Sequence, residues 1–128
     1  MNQNPFPNLQ GKPFLNLTTY RKSGQPVVTT VWFAQEGDTL YGLSESSAGK
    51  IKRIRHTSKV SVTPSTANGK VLGTAAEGLA RVLPPADAPT AMRALDKKYG
   101  VQMAFFKLYM KVRRIQQVYW EVKPTASH

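Results

Sequence analysis

The sequence predicts a small, mainly β domain: a barrel of about six strands decorated by short helices. Three observations predict it. Runs of β-branched and aromatic residues recur between turn-forming residues. A short, strongly basic helical segment follows the third run, and a longer helical stretch precedes the last one.

In chain order, PFLNLTTY (13–20) has the composition of a first strand. RKSGQP is turn material, with Gly24 free to take a positive φ and Pro26 opening the next element. VVTTVWFA (27–34) is apolar on both faces, which predicts a central strand. QEGDT closes a hairpin into LYGLS (40–44), where Gly42 predicts a bulge or the close approach of another group. SSAGKIKRIR then opens a helix running to about His56, with Ser46 or Ser47 as N-cap. KVSVTPS (59–65) alternates as a strand with Val60 and Val62 on one face, and TANGK carries an Asn-Gly turn signal. GTAAEGLARVL (73–83) places the small residues Ala76, Gly78 and Ala80 on one face.

PPADAP breaks the chain and starts a helix, with Asp87 as N-cap, Pro89 in the first turn and Gly100 as the stop. In the segment that follows, Val101, Phe105, Leu108 and Val112 recur at helical spacing. IQQVYWEVK (115–123) is the last strand, and its alternation places Tyr119 and Trp120 on opposite faces, one inward and one outward.

Composition bounds the function. A chain of 128 residues with 41% hydrophobic content is one domain, residues 1–128, with a real core. It has no cysteine, hence no disulfide, thiolate nucleophile or zinc–thiolate site. MNQNPFPNLQGK lacks the layout of a signal peptide and no apolar run reaches membrane-spanning length, which predicts a cytoplasmic protein. A net charge of +11 predicts an acidic partner. The seven carboxylates form no evident acid/base pair. Of the two histidines, His128 is the last residue, and His56 follows the basic helix and reads as a surface residue. Chemistry so poor in titratable groups needs a cofactor.

The helix start poses the sharpest question. Lys50, Lys52 and Arg53 crowd the end of a helix that already carries partial positive charge, so an anion is missing there. Exposed helix-start amides, Gly49 and adjacent cations make an anion site. The alternative reading is a solvated basic face.

The order VVTTVWF, LYGLS, SAGKIKRIR, KVSVTPS and AAEGLARVL resembles the flavin/deazaflavin split-barrel superfamily, which includes the pyridoxamine phosphate oxidase-like proteins. The resemblance is strongest to its deazaflavin-dependent branch, covers residues 13–83 well, and extends to QVYWEV. It implies a six-stranded split β-barrel, a homodimer, and hydride transfer between coenzyme F420 and a small organic acceptor, with FMN as the alternative cofactor. It implies that Lys50 holds the cofactor phosphate, that Lys52 and Arg53 assist or hold the acidic tail, and that Thr29, Val31 and Trp32 line the ring. Trp32 reads equally as core packing, Ser44 as a phosphate donor or a lead into the helix, and Pro64 as a wall of the pocket or a strand end. Thr30 departs from the pattern, standing where many relatives have proline.

Other classes remain: a nucleic-acid-binding barrel, a non-catalytic carrier of the same cofactor, and a haem-binding relative. The cations are not interleaved with aromatics along one strand face, which argues against nucleic acid. The lack of a well-placed histidine argues against haem.

Overall fold

A computed structural model describes Leu9 and residues 12–125. The chain runs β1 (Phe14–Tyr20), β2 (Pro26–Trp32), β3 (Ala34–Glu36), β4 (Thr39–Glu45), α1 (Gly49–His56), β5 (Lys59–Ser65), β6 (Ala76–Val82), α2 (Ala88–Tyr99), α3 (Val101–Val112) and β7 (Gln117–Pro124). The seven strands form one antiparallel sheet in the order β2-β1-β5-β6-β7-β4-β3. The expected mainly β barrel is found, with seven strands in place of six because the run 27–34 breaks at Phe33. The same break overturns the expectation that this run is central: β2 and β3 are the two edges of the sheet, and Phe33 alone separates them in the chain. Double-sided apolarity arises here because one side of the strand faces the barrel and the other faces helices.

Two cores follow from the alternation of the strands. Inside the curl, Leu15 and Leu17 of β1, Val60 and Val62 of β5, Phe33 and Trp120 are buried together. Helix α1 plugs this interior with Ile51 and Ile54, each contributing about 1.5–3 kcal/mol on burial. Outside the curl, Ala91, Ala94 and Leu95 of α2 and Met103 of α3 pack on Tyr41 and Tyr119. Tyr119 and Trp120 do sit on opposite faces, but both are buried, because α2 covers the face expected to be outward. The small residues of β6 likewise turn into the chain's own core. Ala80 is buried there, and a Cβ on Gly78 would lie 2.5 Å from Val122 Cγ1 and 2.8 Å from the Lys123 carbonyl oxygen.

Local signals otherwise hold. Gly24 and Gly69 take φ of 92° and 91° in their turns. Gly100 (φ 53°) ends α2 and starts α3. Asp87 occupies the N-cap position of α2 without making the cap bond, and its carboxylate pairs instead with Arg81 at 3.1 Å.

The break at Phe33 is sewn to α2. The Phe33 amide donates to Tyr99 Oη at 3.0 Å, and that hydroxyl lies 2.7 Å from both the Phe33 and Pro13 carbonyl oxygens, to one of which it donates. Lys98 Nζ donates to the Phe33 carbonyl at 2.8 Å and sits 3.7 Å from the centre of the Phe33 ring. Burial pushes the Lys98 ammonium down to about 8 and the Tyr99 phenol up to about 12, so the phenol stays protonated through the neutral range.

Candidate functional site

The site starts at the N-terminus of α1. The N-cap is Ala48, not Ser46 or Ser47, and it makes no side-chain cap bond. Ser47 Oγ instead donates to Glu45 Oε1 at 3.0 Å. The first turn holds no acidic residue, so the partial positive charge of the helix start is not offset within the helix. Arg53 folds back over this end: a Cβ on Gly49 would lie 2.8 Å from its Nη1. Its Nε donates to Thr19 Oγ1 at 2.6 Å, which fixes the guanidinium beside the helix start. No ion pair to Arg53 or Lys50 forms among the described residues.

The electrostatics agree. Burial pushes the Lys50 ammonium below the usual lysine range, and neighbouring Arg53 pushes it the same way against a weaker opposing pull from Glu45. Burial also lowers Arg53, and Arg21 adds to the effect. Three cations thus converge, and burial together with their mutual repulsion weakens the preference of Lys50 and Arg53 for their charged forms.

Beside them opens a cavity of about 400 Å³, within the usual range for small-molecule sites. Strand residues Thr30, Val31, Trp32 and Ser44 form one wall with Lys50 at one end. Leu95 of α2 and Met103, Phe106, Tyr109 and Met110 of α3 form the other. Trp32 is clamped in place: its ring stacks on Tyr99 at 5.0 Å and meets Phe106 at 5.5 Å. Ser44 is held by Trp120, whose indole Nε1 donates to its oxygen at 3.0 Å, leaving the serine hydroxyl proton available to another acceptor. The Thr30 hydroxyl donates to Asn16 Oδ1 at 2.7 Å, a bond that proline at this position would not make.

Of the residues singled out in the sequence, Val31, Trp32, Ser44 and Lys50 line this one cavity. Gly49 and Arg53 lie at the helix start next to Lys50 without lining it. Lys52 is exposed on α1. Thr29 is half-buried in β2 opposite Leu17 of β1 and does not line the cavity. Pro64 is buried in β5 opposite Leu15 and is not part of the cavity wall. The sequence reading missed the α3 wall. Its signal is present as Met103, Phe106 and Met110, spaced three and four apart, but the same helix carries a second apolar stripe that masks it. No cluster of three or more potential metal ligands occurs among the described residues.

Residues 6–127 match the family described as pyridoxamine 5'-phosphate oxidase. The chain belongs to that family. The oxidase-family assignment agrees with the curled antiparallel sheet. No curated protein matches the sequence. Solved structures similar to this oxidase-family chain include the heme storage protein HutZ from Vibrio cholerae, at 13% identity and a TM-score of 0.69, covering 92% of this chain and 85% of that one. An F420 reductase is 21% identical with a TM-score of 0.62, covering 92% and 91%. A FAD-binding protein from Mesorhizobium loti is 20% identical with a TM-score of 0.66, covering 94% and 84%. At these identities the likeness is one of fold.

Proposed function

We propose that this protein is an F420-dependent oxidoreductase that exchanges a hydride between the deazaflavin and a small organic acceptor. One observation carries the reading: Lys50 and Arg53, in no ion pair among the described residues, meet at an uncapped helix start beside a cavity walled by a clamped tryptophan. The residues fit a phosphate-bearing, ring-containing cofactor. Lys50, Arg53 and the α1 amides would hold the phosphate, and the Ser44 hydroxyl would donate to it. Val31 and Trp32 would line the ring. As an edge strand, β2 has backbone groups pointing away from β1 that can bond polar ring edges, Thr29 among the residues of that strand.

When bound, the deazaflavin supplies the hydride. The chain's own residues bind, orient and exclude water; no side chain is assigned an acid or base role, since Glu45, the one carboxylate of the cavity wall, is exposed. Orientation of two reactants in one cleft is itself a large rate term. The same proposal includes a cytoplasmic protein and a two-fold homodimer whose second chain completes the open cavity.

Exposed Lys52, together with Arg21, favours a cofactor with an acidic tail over FMN. Equilibrium binding of both cofactors to the apo-protein, followed by quenching of tryptophan fluorescence, tests this. F420 binds more tightly at low salt, and the preference shrinks as salt rises, because exposed charges are screened over about 8–10 Å at physiological ionic strength. Equal affinity at low salt counts against F420 and favours FMN. Tight F420 binding without turnover on a panel of acceptors would make the protein a cofactor carrier.

A further inference from the structure

Helix α3 has two apolar faces, and only one is used. Met103 and Met110 turn inward and are buried. On the opposite side Val101, Phe105, Leu108 and Val112 are 70, 68, 55 and 71% exposed. A helix apolar all round belongs in an interior or against another apolar phase.

The charge around this face is one-sided. From Lys97 to Trp120 the chain holds no acidic residue and six cations: Lys97, Lys98, Lys107, Lys111, Arg113 and Arg114. Lys98 is spent on Phe33 and Lys107 on Asp96 at 2.7 Å. Lys97, Lys111, Arg113 and Arg114 are exposed and stand free of any ion pair among the described residues.

We propose that the outer face of α3 docks on an anionic lipid surface. An apolar stripe flanked by lysine and arginine is the pattern of a helix lying in the plane of a membrane interface. The helix spans about 18 Å at 1.5 Å per residue, too short for a hydrocarbon core of about 30 Å, so it lies on the bilayer and does not cross it. Charge decides between this and a second copy of the chain. A two-fold contact sets a patch against itself, which would oppose like charges on both sides with no acidic residue between them. An anionic bilayer offers the opposite sign and an apolar layer together. Nucleic acid would satisfy the charge but not Val101, Leu108 and Val112.

Sedimentation of the full chain with vesicles of equimolar phosphatidylglycerol and phosphatidylcholine tests the proposal, with pure phosphatidylcholine alongside. The protein co-sediments with the anionic vesicles, weakly or not at all with the neutral ones, and less as salt rises. Phe105→Ser with Leu108→Ser weakens anionic binding by about tenfold or more. Val71→Ser, at a site 58% exposed in the β5–β6 connection, leaves it unchanged. Lys111→Gln with Arg113→Gln flattens the salt dependence. The chain has no cysteine, so an environment-sensitive dye on Val112→Cys reports contact directly. It shifts to the blue on anionic vesicles, while the same dye on Val71→Cys does not. No vesicle binding by the wild type, binding indifferent to the serine pair, or a dye at Val112 that stays unshifted overturns the proposal. So does a stable dimer that the serine pair dissociates, which would assign the face to a second copy.

Discussion

The Trp120 indole occupies the space above Gly42: a Cβ at that glycine would lie 1.9 Å from Trp120 Cζ2. The two residues face each other across β4 and β7, and the same indole donates to Ser44 two residues further along β4. A missing side chain on one strand therefore positions a hydroxyl in the cavity.

Gly42→Ala displaces the indole. Overpacking of a tight core costs about 1–3 kcal/mol. The expected result is a melting temperature lower by several degrees and, because Ser44 loses its donor, weaker cofactor binding. Thermal denaturation and a binding titration on one preparation check both. An unchanged melting temperature would show that the indole has room to move.

Tyr99→Phe tests the seam at Phe33. It deletes the acceptor of the Phe33 amide and one donor to the Phe33 or Pro13 carbonyl, while retaining a ring to stack on Trp32. An unsatisfied buried group costs about 1–3 kcal/mol. Urea denaturation should show a loss of that size with little change in the slope against denaturant.

Lys98 has a pH signature. Its folded value of about 8 lies below the ordinary lysine value of 10.5. Between the two, the unfolded chain binds more protons than the folded one, so this residue's contribution to stability rises with pH across that window and is flat outside it. Relative to Lys98→Met, the wild type should gain stability between pH 8 and 10.5. Denaturation of both proteins at several pH values reads the difference. Its absence would mean that the ammonium stays charged against the Phe33 and Lys12 carbonyls.

Lys50→Ala addresses the proposed phosphate site. Loss of a charge-assisted contact weakens cofactor binding by roughly ten- to a hundredfold. The apo-protein should be no less stable, because the change relieves repulsion with Arg53 at a helix start that disfavours cations. Cofactor should raise the variant's melting temperature less than the wild type's. Unchanged affinity would remove Lys50 from the site.

The sequence by itself determined the elements and the cationic helix start. Strand alternation, the glycines at 24, 69 and 100, and the run from Gly49 to Arg53 are local signals, and local backbone preference and side-chain periodicity act within a few residues. It also marked Val31, Trp32, Ser44 and Lys50, which the fold gathers around one cavity. Only the tertiary structure decided which apolar face meets which layer. Residues 27–34 read as a central strand because apolarity on both sides does not distinguish a sheet on one side from a helix. One of Tyr119 and Trp120 read as outward because nothing near them in the sequence announces that α2 will cover Tyr119. Helix α3 carries two apolar stripes, and periodicity cannot say that Met103, Phe106 and Met110 close the cavity while Phe105 and Leu108 face outward. That choice is made by the left-handed turn at Gly100 and by Tyr99, which pins the end of α2 to the strand break at Phe33, contacts that join residues more than sixty positions apart.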